Sequence, residues 1–146
     1  MRSSRQQFVI SLFNVRNRVR FAMDDAFRPM GITDATWRTL FYLEQTGDGV
    51  FQKDLATVMG IEGPSLVRLL DSLEDKQLIE RRPGQTDRRS KSVHLTRKAL
   101  KLLDKLHDVA DQVRGELLED ISDEEIEHCL LVFQRIMDTK DHKVAP

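Results

Sequence analysis

Apolar residues recur along most of this chain at the three- and four-residue spacing of helices, and the pattern is broken by glycine- and proline-bearing turns. Phe8, Leu12, Val15, Val19, Met23 and Phe27 predict a first helix over residues 5–28, ended by Pro29-Met30-Gly31. Thr33 is placed to cap a second helix carrying Trp37, Leu40, Phe41 and Leu43, which stops at Thr46-Gly47-Asp48-Gly49. A short third helix at about 52–59 precedes Gly60, and Leu66, Leu69, Leu70 and Leu73 then form an inward i, i+3, i+4, i+7 stripe on a fourth. Ala56, Gly60 and Leu66 supply a small residue at a helix crossing, a residue able to take the turn, and an apolar anchor. That spacing predicts a helix-turn-helix.

The period changes after this point. Leu78–Arg82 and Lys91–Leu95 read as short strands around Pro83-Gly84 and a polar tip, and a hairpin directly after a helix-turn-helix makes a winged helix. Thr96 then caps a long helix whose Leu103, Leu106, Ala110, Val113 and Leu117 alternate as in a coiled-coil seam. Asp120-Ile121-Ser122 interrupts it, and Ser122 with Glu125 forms a capping box for a last helix bearing Ile126, Leu130, Phe133 and Met137 on one face. The expected fold is mainly α with a small β-hairpin wing, a winged helix-turn-helix dimer. Residues 1–146 form a single chain of this type, with 33–96 as the DNA-binding lobe and 5–28 and 97–142 as dimerisation helices. The terminal stripes are too extensive for a small central lobe to cover, and a two-fold homodimer would bury them.

Composition narrows the class. A chain of 146 residues, 40% hydrophobic and 32% charged with 7 Gly and 4 Pro, has the size and balance of one helix-leaning globular domain. No stretch reaches the roughly 18 apolar residues of a membrane span, and the start carries no long apolar core of a leader, so no membrane partner and a cytoplasmic location are expected. The net charge of −1 conceals a separation: Gln77 to Lys98 holds seven basic residues against two acidic, and Gly115 to Asp138 eight acidic against one basic. A molecule so polarised can turn one part towards phosphates and the other away. Cys129 is the single cysteine, expected as a buried inert thiol among apolar neighbours. His94, His107, His128 and His142 are scattered, and the spacing of His107 from Asp104, Asp108 and Asp111 is what acidic helix surfaces produce by chance, so no metal or cofactor is expected. Neither G-x-S-x-G nor a glycine-rich phosphate loop occurs, and no catalytic residue is assigned: the chain is not expected to be an enzyme.

The candidate chemistry is that of a duplex reader. Arg68 faces outward from the fourth helix and can fork to guanine O6 and N7 or clamp a phosphate, and Ser65 and Ser72 are short enough for the groove floor. Pro64 and Ser65 at the helix start direct the positive end of its dipole outward. At the hairpin tip, Asp87 stands two residues before Arg89, where a carboxylate can hold a guanidinium extended as a minor-groove probe, and Arg88 and Lys91 flank it as phosphate contacts. Trp37 with Arg16 or Arg20 suits a crevice for an aromatic carboxylate, or else Trp37 is a core anchor.

The wing pattern Asp87-x-Arg89-x-x-x-Val93-x-Leu95-Thr96 resembles that of the MarR family of bacterial transcription regulators. Gly60-Ile61-Glu62-x-Pro64-Ser65-Leu66-Val67-Arg68, continuing in Leu73-Glu74-Asp75-Lys76 and Leu78-Ile79, is similar to its SlyA-like branch. So are Ile32-Thr33-x-x-Thr36-Trp37 and Arg114-Gly115-Glu116-x-Leu118 with Ile121-Ser122-x-Glu124-Glu125-Ile126. The resemblance implies a homodimer joined through its terminal helices, each recognition helix in a major groove and each wing in a flanking minor groove of double-stranded DNA with a palindromic operator. It implies control of stress, virulence or aromatic-compound genes by repression or by displacing a silencer, weakened by small aromatic carboxylates such as salicylate. Carried over by position, Pro64, Ser65 and Arg68 become recognition-helix contacts, Arg89 the wing arginine held by Asp87, and Arg20 and Trp37 ligand residues. Peroxide-sensing members use a cysteine near the N-terminus, which is absent here. The competing reading is a winged helix used for protein association without ligand response.

Overall fold

In the computed structural model, which describes residues 3–139, four α-helices begin where a side-chain oxygen, of Ser3, Thr33, Thr96 or Ser122, accepts an otherwise orphaned backbone N–H. Helix α1 (Ser4–Phe27) starts with Ser3 Oγ accepting from Gln6 N–H at 3.3 Å and runs into a single 3-10 turn at Arg28–Met30. Helix α2 (Asp34–Thr46) is capped by Thr33 as expected, and the Thr36 hydroxyl reciprocates by accepting the Thr33 N–H at 2.9 Å. A two-residue strand β1 (Val50–Phe51) leads into α3 (Gln52–Met59) and α4 (Gly63–Asp75). Gly60, with φ of 63°, ends α3 in the left-handed conformation that lets the chain reverse between the two helices. Strands β2 (Ile79–Pro83) and β3 (Lys91–Leu95) follow, then α5 (Arg97–Leu118) and α6 (Asp123–Met137).

The chain divides between Val113 and Arg114 into two compact units. The core of the first gathers Phe27, Leu40, Leu55, Leu66, Leu70, Leu73, Val93, Leu103 and Leu106, none of which retains accessible surface. Burying each such side chain is worth about 1.5–3 kcal/mol, so the leucine stripe of α4 alone fixes which side of that helix faces out. Leu69, read as part of that stripe, is only half-buried at its margin. On α1 the apolar stripe enters the core only at Met23 and Phe27, and Phe8, Phe13, Val15 and Phe21 remain exposed.

The expected hairpin is a three-stranded antiparallel sheet of order β1-β3-β2. Val50 pairs with Val93 and Phe51 with Ser92, while β2 and β3 pair from Ile79–Leu95 to Pro83–Lys91. A strand of two residues is too short to show an alternation, which is why β1 leaves no pattern in the sequence.

In the second unit, Ser122 caps α6 as expected: its Oγ accepts from Glu125 N–H at 3.3 Å, and Glu125 Oε2 accepts from Ser122 N–H at 2.9 Å. No residue of α6 is buried in the chain, with Leu130 59% and Met137 79% exposed. Cys129 is exposed too, contrary to the expectation of a buried thiol, because its apolar neighbours on α6 are themselves uncovered. Residues 140–142 of the expected dimerisation segment, and His142, lie outside the described residues. Among the described residues no helix is long and apolar enough to cross a membrane.

Candidate nucleic-acid interface

Burial of Leu66, Leu70 and Leu73 turns Pro64, Ser65 and Arg68 of α4 outward, and all three are exposed. Ser72 sits at the edge of that face and is half-buried. Glu62, the residue preceding α4, makes no side-chain cap, so the first-turn N–H groups are left for an external acceptor. Arg68 forms no ion pair among the described residues.

The wing tip is braced by its own backbone. Gly84 N–H donates to Ser90 O at 2.7 Å, and Ser90 N–H and Oγ both donate to Asp87 O, at 3.1 and 2.8 Å. A Cβ on Gly84 would stand 2.6 Å from Asp87 O, so the turn closes only over glycine. Asp87 does not grip the guanidinium of Arg89 as expected; its Oδ1 accepts from the Arg89 backbone N–H at 2.9 Å. The reason is local: in a tight turn an Asp carboxylate falls over the amide two residues on, nearer than a long side chain can return. Asp87, Arg88, Arg89 and Lys91 are all exposed, and the Arg89 guanidinium is left free to reach outward.

Sequence reasoning passed over the group that joins these two surfaces. Arg81 of β2, its side chain only 14% exposed, donates through Nε and Nη2 to Glu74 Oε2 at 3.1 and 2.6 Å and through Nη2 to Asp71 Oδ1 at 2.6 Å. Its backbone N–H also donates to Glu74 Oε1 at 3.1 Å. The fork holds the Glu74 carboxyl below its usual range and raises the Arg81 guanidinium further. A signal did exist: alternation along β2 puts Arg81 on the same side as buried Ile79, and Asp71 and Glu74 stand at i, i+3 on the helix it faces. Between α4 and the wing lies a concavity of about 540 Å³, lined among others by Phe51, Leu66, Val67, Arg81 and Arg89. On β3, His94 bridges Ser92 Oγ and Asp48 Oδ1, each at 2.9 Å, tying the wing to the turn before β1.

A sequence model of the MarR family matches residues 30–90, which contain α2, the helix-turn-helix and the wing tip. The transcriptional regulator PA3341, of known structure, is 35% identical; 89% of this chain and 95% of that one superpose with a TM-score of 0.79. The chain belongs to the MarR family. A MarR-family regulator from Rhodococcus sp. RHA1 is 24% identical, covering 96% of this chain and 99% of its own, with a TM-score of 0.85. MepR of S. aureus, solved as a complex with DNA, is 26% identical over 96% of this chain and all of its own, with a TM-score of 0.80. The family and these neighbours are transcription regulators rather than enzymes.

In this MarR-family chain the two residues expected at a ligand crevice are not brought together. Trp37, 8% exposed, packs between Phe27 and Phe41 with ring centroids 5.4 and 5.6 Å away, and its Nε1 is buried without a partner. Arg20 instead lines a crevice of about 660 Å³ between α1 and α2, with Arg28, Ile32, Asp34, Ala35 and Arg38 but without Trp37. Its guanidinium lies 3.8 Å from Asp24 Oδ2 and stacks over Phe21, and Arg38 Nε lies 3.1 Å from Asp34 Oδ2. Burial pushes the Asp34 carboxyl up, and the Arg38 charge partly offsets that. His107 Nε2 bonds Glu44 Oε2 of α2 at 2.7 Å.

Proposed function

We propose that this chain is a sequence-specific, dimeric DNA-binding regulator of the SlyA-like branch, acting in the bacterial cytoplasm on a palindromic operator. The observation that carries the reading is the pairing of an exposed recognition-helix face, Pro64, Ser65 and Arg68, with a self-braced wing whose Arg88, Arg89 and Lys91 point to solvent. Cations at two separated heights suit a major groove and the adjoining backbone or minor groove of one duplex. That MepR was solved with DNA supports the same use of this fold. The exposed apolar side chains of α1 and α6 support self-association, because such surface on a soluble chain marks an interface. Two copies of the reader then call for a two-fold target.

The effector belongs to the same reading. The crevice at Arg20 combines an apolar floor, Ile32 and Ala35, with guanidiniums, a combination that suits a small aromatic carboxylate. Because Arg20 and Arg38 already face Asp24 and Asp34, such a ligand must compete with internal pairs and is expected to bind weakly.

Mobility shifts with genomic fragments, beginning with the promoter of the protein's own gene, test the core of this reading. Arg68→Ala should weaken a specific site by about 1–3 kcal/mol if Arg68 reads a base. Absence of any retarded fragment at physiological salt would overturn DNA binding, and a monomer by light scattering at micromolar concentration would overturn the dimer. For the effector, salicylate should release the fragment, and Arg20→Ala should blunt that release.

A further inference from the structure

We propose that Arg81 is the positioning residue of the DNA grip: it locks the wing to the recognition helix at a fixed angle and touches no nucleic acid itself. The inference rests on the DNA-binding reading above and deepens it. Arg81 stands in β2 opposite Val93, on the face of the sheet that turns to α4, with both of its acceptors on that helix. Asp71 and Glu74 lie within two helical turns of Arg68, so the fork connects the element bearing Arg68 to the strand that leads into the wing tip. The Glu74 carboxylate takes the side chain through one oxygen and the backbone N–H of the same residue through the other, which fixes the strand as well as the guanidinium.

Two physical consequences follow. A solvated single ion pair would orient nothing, since exposed pairs are worth little and exchange freely. A guanidinium 14% exposed whose Nε and Nη2 are committed to two carboxylates is a defined geometry, and its burial keeps it back from a phosphate. The fork also offsets one of the two negative charges of Asp71 and Glu74, which are 54% and 40% exposed on α4 and would otherwise repel phosphates more strongly. Arg81 thus serves binding without contact.

The test uses Glu74→Gln in the full chain, which breaks the fork while keeping the charge of Arg81. In the free protein, amide hydrogen exchange should speed up across β2 and β3 and stay unchanged in the buried part of α5. On DNA, Arg89→Ala should cost about tenfold in the wild type but under about threefold in the Glu74→Gln background, because a wing no longer held cannot present Arg89 well. Arg81→Lys, which keeps the charge and loses the fork, should behave alike. Additive costs, or unchanged wing exchange, overturn the proposal. If Glu74→Gln does not fold, Asp71→Ala, which removes the second acceptor of Arg81 on α4, carries the same comparison. A wild type that shifts no DNA sinks the DNA reading instead, and the exchange arm still decides whether Arg81 holds the wing to α4.

Discussion

Asp87 offers the sharpest test of how the wing works, because two substitutions separate its charge from its hydrogen bond. If Asp87 braces the tip by accepting the Arg89 N–H at 2.9 Å, Asp87→Asn keeps an acceptor oxygen in place and Asp87→Ala removes it. The lost bond is solvent-exposed, so its net worth is about 1 kcal/mol, and two wings of a dimer bring the cost of Asp87→Ala to about 2 kcal/mol. That corresponds to a loss of affinity of up to about thirtyfold. The charge acts in the opposite direction: a carboxylate on the order of 10 Å from a phosphate repels it by about 0.4 kcal/mol in water, and screening at physiological salt reduces this further. The hydrogen bond therefore wins in Asp87→Ala, and only the small charge gain remains in Asp87→Asn. Measured by fluorescence anisotropy on an operator fragment, Asp87→Asn should bind as tightly as the wild type or up to about twofold tighter, and Asp87→Ala clearly more weakly. Equal losses in the two variants would show that the carboxylate works through its charge on the Arg89 guanidinium, and the turn-bracing account would be wrong.

Three further outcomes follow from other parts of the structure. Lys91→Gln should lower the slope of log affinity against log salt by about one for each wing, and an unchanged slope would remove Lys91 from the phosphate contacts. Gly60→Ala meets no atom within 4 Å, so only its φ of 63° resists the change; urea unfolding should show a loss of about 1–2 kcal/mol, and none if the turn can relax. Glu74, its carboxyl held below the ordinary value, contributes stability that is present above the unfolded-state carboxylate pKa and is lost as pH falls through the lower folded value. The stability gap between wild type and Glu74→Gln should accordingly narrow in acid, by a modest amount because the side chain is 40% exposed, and a gap that widens in acid would reverse the assignment.

What the sequence determined about this protein is everything written in local periodicity and in the chemistry of neighbours a few residues apart. The leucine spacing of α4, the turn at Gly60 and the caps at Thr33, Thr96 and Ser122 each depend on contacts within one or two helical turns, and each stands where the pattern puts it. The outward Arg68 follows from the same stripe, because burying one face of a helix decides the other. Tertiary structure decided whatever depends on distance through space. The pairing of β1 with β3 joins residues some forty positions apart in a strand too short to alternate. Trp37 went to the aromatic core and Arg20 to a crevice with Arg38, a choice that composition leaves open because an indole suits either place. Cys129 stays exposed because an apolar helix face is buried only when something covers it. The roles of Asp87 and Arg81 were decided by the geometry of a tight turn and by which carboxylates the strand happens to face. Charges and hydrogen bonds act over a few ångströms, and only the folded chain fixes which groups come within that reach.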